Sequence, residues 1–554
     1  MEFALFILLL LLVVPLLGKY MAWIFQKENS LPLLDFLEKG IYRLSGIDSN
    51  QEMDWRTYAK ALLILNAMGF VFLFFLQIFQ GWLPFNPEGI PGVKPALAFN
   101  IAASFVTNTN WQAYGGENTL SYLTQMLGMT VQNFMSAATG NAVLLALIRG
   151  IHSKSSKTIG NFWRDFTRTI IYLLLPLSLL FSLFLVGQGV VQTLEPYIHA
   201  KTIEGSEQII PVGPAASQIA IKQLGTNGGG FFNANSAHPF ENPTFSSNFL
   251  GNLAILLIPA AAVYMYGLML HKKREGMVIF CVMLALWIGG IAVAFYSESY
   301  INPLMPVNPV LEGKETRFGI GKSLFWAIST TATSNGSTNS ALGSFSPLAG
   351  GIALFNIMIG EVVFGGIGVG LCSMLMFVFL TVFLSGLMVG RTPEYMTKKI
   401  EKKEMQWAML ALLTPCALIL IGSSIASLLP ELHVSENAGP HNLSEVLYTF
   451  SSASGNNGSA FGGLKVNTTF YNLLLGVFMI GARLTLLTAS LGIAGSLAEK
   501  KTAASSVGTF STNTPLFGAL LISVILIVAA LSFFPALSLG PIVEHLLMMR
   551  GVSF

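Results

Sequence analysis

The chain has 554 residues, of which 53% are hydrophobic and only 10% are charged, and its mean hydropathy is +0.64. This composition is typical of a polytopic membrane protein and excludes an ordinary soluble domain. The net charge of +3 is too small to indicate nucleic-acid binding. The three cysteines lie in apolar runs without metal-ligand or disulfide spacing, so we expect them to serve packing.

Ten apolar segments are each long enough to cross a bilayer as a helix, which takes about 20 residues. The sequence therefore predicts an all-α polytopic membrane protein with ten transmembrane helices. The first segment has no basic residues before it and is long enough to span, so we expect a retained helix and no cleaved signal peptide. The ten predicted spans are 3–24, 58–80, 121–148, 168–192, 246–270, 277–298, 350–388, 405–430, 469–497 and 515–538.

Between the first two spans, residues 30–47 place apolar side chains at helical spacing. This pattern predicts an amphipathic helix on the cytoplasmic membrane surface, or a helix packed on the rest of the protein. The apolar positions are Leu31, Leu34, Leu37, Ile41, Tyr42 and Leu44.

Four short polar loops interrupt the apolar segments at a nearly constant spacing. Their key asparagines, at positions 108, 227, 335 and 457, are 119, 108 and 122 residues apart. A glycine follows the asparagine in the last three loops but not in the first. Each loop follows a stretch of small residues too short to span a membrane, at 98–106, 214–224, 323–333 and 445–454.

The repeating unit is thus a span, a half-helix, a polar loop and a second span, with spans two to nine supplying the pairs. Four such units around one axis form a pore with one filter. The run Gly228-Gly229-Gly230 can adopt backbone angles closed to other residues, so carbonyl oxygens can face the axis in place of a potassium ion's water shell. One glycine-rich loop alone would equally fit a flexible surface loop, and the fourfold repeat favours the filter.

The repeat divides the chain into six predicted parts. An extra helix with a cytoplasmic surface segment precedes the four pore repeats, and another extra helix follows them. The predicted boundaries are 1–56, 57–160, 161–275, 276–403, 404–502 and 503–554.

Basic residues alternate strictly with the spans. Of the 30 lysines and arginines, 21 follow odd-numbered spans and eight lie on the side that carries the polar loops. Because basic residues concentrate on the cytoplasmic side, we expect both termini and all four loops to face outside.

The seventh span is too long and is interrupted by glycines at Gly365, Gly366, Gly368 and Gly370. We expect a broken helix that lines a path, the alternative being a plain glycine-mediated helix contact. Charges are costly in lipid and usually face the protein interior. Arg483, inside the ninth span, is therefore expected either to face the ion path or to pair with a carboxylate such as Glu361. We expect the glycine break and Arg483 to close the axis and to direct the ion sideways.

No acid/base pair, nucleophile constellation or metal-ligand cluster can be nominated in the sequence. We therefore expect no catalytic residues, no organic cofactor and no enzyme activity of the chain on its own.

Six segments resemble one known family, the A subunit of the Kdp potassium-transporting ATPase, which is similar to a wider superfamily of potassium channels and transporters. The segments are SFVTNTNW at 104–111, GTNGGGFFNAN at 225–235, HPFENP at 238–243, GEVVFGG at 360–366, GRTPEY at 390–395 and NNGSAF at 456–461.

The resemblance implies a potassium-binding subunit of a high-affinity uptake pump in the bacterial inner membrane, with potassium as substrate. A P-type B subunit would use ATP and receive the ion through an intramembrane tunnel, and C and small F subunits would complete the assembly. Gln112, at the filter rim, matches a family position linked to potassium affinity. The filter carries over to Thr107, Asn108, Thr109, Asn110, Thr226, Asn227, Gly228, Gly229, Gly230, Ser334, Asn335, Gly336, Asn456, Asn457 and Gly458.

The second interpretation is a stand-alone potassium channel or cation symporter of the same superfamily, which would need no ATPase partner. A membrane enzyme is disfavoured because no reactive constellation can be nominated. In both interpretations we expect the chain to contact the lipid bilayer and to bind no nucleic acid.

Overall fold

The computed structural model describes residues 2–26, 31–299, 310–429, 437–502 and 511–552. Within these residues the chain forms nineteen α-helices and four short strands. The helices are α1 Glu2–Ile24, α2 Pro32–Ser45, α3 Trp55–Phe79, α4 Pro95–Val106, α5 Gly116–Thr119, α6 Val131–His152, α7 Phe162–Arg168, α8 Leu175–Gly187, α9 Ala215–Leu224, α10 Phe245–Met269, α11 Lys273–Ser299, α12 Gly319–Ala332, α13 Pro347–Met358, α14 Val369–Met388, α15 Lys402–Leu428, α16 Gly439–Ser454, α17 Thr469–Glu499, α18 Pro515–Leu537 and α19 Val543–Met549. The strands form two antiparallel hairpins, β1 Ile198–Lys201 with β2 Glu207–Ile210, and β3 Glu394–Tyr395 with β4 Lys398–Lys399.

Among the described residues, ten helical segments are long and apolar enough to cross a membrane, which confirms the ten predicted spans and the all-α fold. Three of them run on through a stretch of π-helix, at Thr124–Thr130, Thr169–Leu174 and Ser538–Ile542. The segments are Glu2–Ile24, Trp55–Trp82, Thr124–His152, Phe162–Gly187, Phe245–Met269, Lys273–Ser299, Val369–Met388, Lys402–Leu428, Thr469–Glu499 and Pro515–Met549.

Four short helices, α4, α9, α12 and α16, each lie between two of these spans and are almost wholly buried. They coincide with the four predicted half-helices, and each ends directly before one of the polar loops. A buried helix of this length cannot cross a bilayer, so its last carbonyls and the loop that follows lie inside the protein.

Burial separates an inner set of helices from an outer set. The second span of each repeat is more buried than the first, and α6, α10 and α14 are the most enclosed. The outer helices expose leucine side chains that suit a hydrocarbon environment, for example Leu8, Leu12 and Leu16 on α1 and Leu179, Leu180 and Leu183 on α8. The inner helices therefore surround the polar loops.

The seventh predicted span is a broken helix, as expected. Helices α13 and α14 are separated by residues 359–368, where φ is positive at Gly360 (77°), Glu361 (57°), Phe364 (49°) and Gly368 (76°). An α-helix cannot continue through such angles. The break begins several residues ahead of Gly365, so the glycine run marks only its second half.

Helix α2 matches the predicted amphipathic segment, apart from residue 30, which lies outside the described residues. One face packs on the protein, because Glu38 accepts hydrogen bonds from Arg168 Nε (2.8 Å) and the Tyr172 hydroxyl (2.7 Å). Another face is apolar and exposed, and contact of that face with the membrane stays a prediction. Its exposed side chains are Phe36, Leu37, Ile41 and Leu44.

Candidate functional site

The four polar loops share one backbone conformation. In each loop the second residue after the short helix has a left-handed φ: 63° at Asn108, 51° at Thr226, 54° at Ser334 and 49° at Asn456. Two residues later φ is positive again: 52° at Asn110, 90° at Gly228, 86° at Gly336 and 95° at Gly458. Alternating backbone angles of this kind aim successive peptide groups in different directions, and non-glycine residues adopt them only where the surroundings enforce them.

The residue between the two left-handed positions ties each loop to its own helix. Its backbone N–H donates a hydrogen bond to the carbonyl oxygen of the residue five positions earlier in the chain. The four bonds are Thr109 to Ser104 (2.9 Å), Asn227 to Lys222 (2.9 Å), Asn335 to Thr330 (3.0 Å) and Asn457 to Ser452 (2.9 Å). This pattern corrects the register by one residue in the first repeat. The sequence pairs Asn108 with Asn227, whereas the structure pairs Thr109 with Asn227 and Asn108 with Thr226.

Hydrogen bonds join the four loops into a ring. Asn108 Nδ2 donates to the carbonyl of Thr226 (2.9 Å), which joins the first loop to the second. Asn335 Nδ2 donates to the carbonyl of Lys222 (3.0 Å), which joins the third loop to α9, the helix that leads into the second loop. The fourth loop contacts both remaining neighbours, since Ser334 Oγ donates to Gly455 (2.8 Å) and Asn456 Nδ2 donates to Thr109 Oγ1 (2.9 Å).

Three glycines make this close approach possible. An added Cβ at any of these glycines would overlap a carbonyl oxygen of the neighbouring loop. Gly228 meets the carbonyl of Asn335, Gly336 meets that of Asn457, and Gly458 meets that of Thr109. Only glycine fits a left-handed position that presses against a neighbouring backbone. In the first loop the same position is occupied by Asn110, whose side chain packs against Gly229. The Nδ2 of Asn110 donates a hydrogen bond to Asn133 Oδ1 (2.8 Å).

Gln112 lies beside the ring and links the first two loops. Its amide donates to the carbonyl of Gly230 (3.0 Å), and its Oε1 accepts from the N–H of Gly230 (2.8 Å). Thr107 completes the first loop through a hydroxyl contact with Thr109 (2.7 Å). Every predicted filter residue thus lies in the ring or directly beside it.

The broken seventh span contacts the ring from one side. The N–H of Ile367 donates to Thr226 Oγ1 (3.0 Å), so the break and the second loop are in direct contact. A Cβ at Gly366 would lie 3.6 Å from the same hydroxyl, and one at Gly368 would overlap the backbone of Gly140 on α6. A Cβ at Gly370 would overlap the backbone of Gly365, and one at Gly365 would overlap the carbonyl oxygen of Glu361.

Glu361 and Arg483 are both buried and lie 3.6 Å apart, between Glu361 Oε1 and Arg483 Nη1. The predicted pairing of Arg483 with Glu361 is therefore confirmed. The second oxygen, Glu361 Oε2, lies beside Gly366, whose backbone N–H interacts with this carboxylate.

A cavity of about 50 Å³ lies beside this pair. Glu361 and Ser373 face it from the break and α14, and Asn456 faces it from the fourth loop. The remaining wall is mostly apolar and comes from the end of α13 and from α14, α15, α17 and α18. The cavity thus lies between Glu361, the fourth loop and these helices.

Reasoning from the sequence missed one group of residues at the ring. Lys222 on α9 is wholly buried and pairs with buried Glu241 (2.5 Å), although the sequence pattern places it among the basic residues of the outer side. One feature of the sequence could have identified Lys222. The position three residues before the helix cap holds a hydroxyl residue in the other repeats (Ser104, Thr330 and Ser452) and lysine only in the second. Across the described residues, no group of three or more His, Cys, Asp or Glu could hold a metal ion.

Comparison with known proteins gives a consistent result. A family model described as "Potassium-transporting ATPase A subunit" matches residues 4–546. The chain is 52% identical over 561 residues to a protein of Rhizobium rhizogenes and 54% identical over 572 residues to one of Herpetosiphon aurantiacus, each named "Potassium-transporting ATPase potassium-binding subunit". These alignments cover 100% and 99% of this chain, and 99% and 98% of the relatives.

Among solved structures, the chain is similar to the potassium transporter TrkH from Vibrio parahaemolyticus. The TM-score is 0.50 at 15% identity, with 88% of this chain and 96% of that chain covered. At this identity the likeness shows a shared fold and nothing about the ion.

Proposed function

The chain belongs to the potassium-transporting ATPase A subunit family, and on that premise we propose that it binds external potassium in the ring of four loops and passes it to an ATP-hydrolysing partner. In this proposal the chain is the non-hydrolytic, potassium-translocating subunit of a high-affinity uptake pump. Potassium is its substrate, and ATP is used by the partner.

The observation that carries the proposal is the closed ring itself. Four loops with alternating left-handed residues hold one another through backbone and amide contacts, inside a bundle of apolar helices. Such a ring supplies backbone carbonyl and side-chain hydroxyl oxygens and only the neutral side chains Thr, Asn and Ser. Neutral oxygen ligands replace the hydration shell of potassium at low cost, and the ring has none of the imidazole or thiolate groups that bind zinc or copper.

Sideways transfer of the ion is supported by the break and by the cavity beside Glu361. Arg483 places a buried cation beside Glu361 and α6, and a fixed positive charge repels potassium most strongly where the dielectric constant is low. The cavity beside Glu361 is lined in part by the outer helices α15 and α18. We propose that the ion leaves in this direction, through a tunnel toward the partner subunit.

We infer the partner subunits from the family and the orientation in the membrane from the distribution of basic residues. A P-type B subunit, a C subunit and a small F subunit would complete the pump in a bacterial inner membrane. Both termini and the four loops would face outside, where potassium enters, because 21 of the 30 basic residues lie on the opposite side. The six parts of the chain, from 1–56 to 503–554, would act as four pore repeats with an extra helix at each end.

Purification of the chain from native membranes tests this proposal against the stand-alone transporter. We expect a P-type ATPase and two smaller membrane proteins to co-purify, and we expect ATP hydrolysis that rises with external potassium. The chain alone, reconstituted in vesicles, should show no passive potassium flux. Rapid passive flux through the chain alone, with no ATPase attached, would support the channel or symporter and overturn the pump.

A further inference from the structure

The second loop lacks a clamp that holds the third and fourth loops. In those loops a serine follows the filter glycine, and its hydroxyl donates to the asparagine two residues before it, as Ser337 does to Asn335 Oδ1 (2.5 Å) and Ser459 does to Asn457 Oδ1. The second loop has Gly229 at this position. Accordingly, Asn227 Oδ1 accepts no hydrogen bond from any described residue.

Three consecutive glycines and a missing clamp would leave this loop the most flexible of the four. Yet Gly228 packs directly against the backbone of Asn335, so its position affects two loops at once. A potassium filter needs its oxygens held at fixed distances, whether by size or by field strength. Gln112 holds Gly230, so other groups must hold the backbone on either side of it, at Gly228, Phe231 and Phe232.

A network of three side chains does so. Asn235 Nδ2 donates to the carbonyl of Gly228 (2.8 Å). Lys222 Nζ donates to Asn235 Oδ1 (2.7 Å) and to Glu241 Oε2 (2.5 Å). Glu241 Oε1 in turn accepts from the backbone N–H groups of Phe231 (2.6 Å) and Phe232 (3.0 Å).

The lysine fixes which way the amide of Asn235 points. An ammonium group can only donate, so the oxygen of Asn235 must face Lys222 and its NH₂ must face Gly228. Glu241 neutralises the buried ammonium, which would otherwise oppose potassium in the ring. The other three repeats bind their loops through a hydroxyl at the position of Lys222, for example Thr330 to Asn335 Oδ1 (3.2 Å).

We propose that Lys222, Asn235 and Glu241 are positioning residues for the potassium site, and that they set its affinity by fixing the carbonyl of Gly228. This inference rests on the proposed function of the ring. The lysine acts through Asn235 and does not itself contact the ion.

The test is Asn235→Asp in the purified complex. Aspartate has nearly the same shape and tolerates the left-handed φ of 52° at this position. It keeps an acceptor for Lys222 but turns a second acceptor toward the Gly228 carbonyl. We expect the potassium concentration for half-maximal ATPase activity to rise at least about ten-fold, with the maximal rate within about two-fold of wild type. An added negative charge alone would attract potassium, so it cannot explain a loss of affinity.

Asn233→Asp is the matched control, because residue 233 is exposed and adds the same charge two residues away. We expect its potassium dependence to equal that of wild type. Equal or tighter potassium dependence in Asn235→Asp would overturn the inference, whereas a wild-type complex without potassium-dependent ATPase activity would overturn the proposed function. If Asn235→Asp does not assemble, the neutral pair Lys222→Met with Glu241→Gln decides. It releases the amide of Asn235 and should raise the half-maximal concentration at least about five-fold, and no rise would reject the proposal.

Discussion

Gly228 is the residue at which backbone geometry most directly controls the ring. A side chain there would be strained by the φ of 90° and would overlap the carbonyl of Asn335. We expect Gly228→Ser to assemble, to need at least about ten-fold more potassium for half-maximal ATPase activity, and to discriminate less against rubidium and ammonium. A ten-fold change corresponds to about 1.4 kcal/mol.

Gly205→Ser is the control that separates backbone strain at a positive φ from a steric overlap with a neighbouring loop. Gly205 has a φ of 88° in the β1–β2 turn, and nothing lies within 4 Å of its added Cβ. It should lose about 1 kcal/mol of stability at most and keep wild-type potassium dependence. If both variants behave alike, the second loop does not line the ion site.

We expect His441, at the start of α16, to contribute to stability in a pH-dependent way. Burial opposes its protonation, but the hydrogen bond to Glu544 (2.7 Å) and the charges of Glu544 and Glu445 outweigh it and raise the pKa of His441 above its ordinary value. A raised folded-state pKa means that the contribution is fully present below the unfolded value of about 6.5 and is lost as the pH rises through the folded value.

Thermal unfolding of the complex between pH 5 and 9 measures this contribution. The Tm difference between wild type and His441→Gln should be largest at pH 5 to 6 and shrink toward pH 9. The control is His545→Gln, since His545 Nδ1 has no hydrogen-bond partner among the described residues. A difference for His441→Gln that does not change with pH would refute the ion pair.

At the scale of elements, the contact between α6 and the break between α13 and α14 is close enough to test by adding one methyl group. A Cβ at Gly140 would overlap the carbonyl oxygen of Ile367 and lie 2.8 Å from Val369 Cγ2. We expect Gly140→Ala to displace the break at a cost of about 1–3 kcal/mol. ATP-driven potassium uptake should fall, while the potassium concentration for half-maximal ATPase activity stays within about two-fold.

Gly289→Ala is the matched control, because this helical glycine on α11 has nothing within 4 Å of an added Cβ. Alanine there should be neutral or stabilise the helix by up to about 1 kcal/mol. Wild-type uptake per ATP in Gly140→Ala would show that the break does not couple transport to hydrolysis.

The elements could be predicted largely from the sequence, and their contacts only in part. Ten spans follow from length and hydropathy, which are local properties, and the break follows from glycines in an overlong span. The pairing of Arg483 with Glu361 was within reach because both are isolated charges in apolar surroundings.

Two features of the site depend on contacts that local patterns do not encode. In the first loop, asparagines flank Thr109 on both sides, so matching residue types gives the wrong register by one position. The left-handed φ angles at Asn108 and Asn110 decide the register, and they result from packing against neighbouring loops. Lys222 resembles an ordinary surface lysine until the fold brings Glu241 and Asn235 to it.

For the whole molecule, thiol labelling tests the predicted orientation in the membrane. Asn118, Lys201 and Lys399 are all exposed. In a variant whose exposed Cys281 is replaced by serine, cysteine at 118 or 201 should react with an impermeant thiol reagent added to intact cells. Cysteine at 399 should react only after the membrane is opened, because it lies on the side with most basic residues. External labelling at 399 would reverse the topology.

We expect one potassium site within the ring of four loops. Thallium(I) replaces potassium chemically and scatters X-rays anomalously, so crystals of the complex soaked in thallium locate the ion directly. We predict the strongest anomalous peak between Thr109, Asn227, Asn335 and Asn457, and its loss when excess potassium is added. A strongest peak outside the ring, or one that potassium does not displace, would contradict the account.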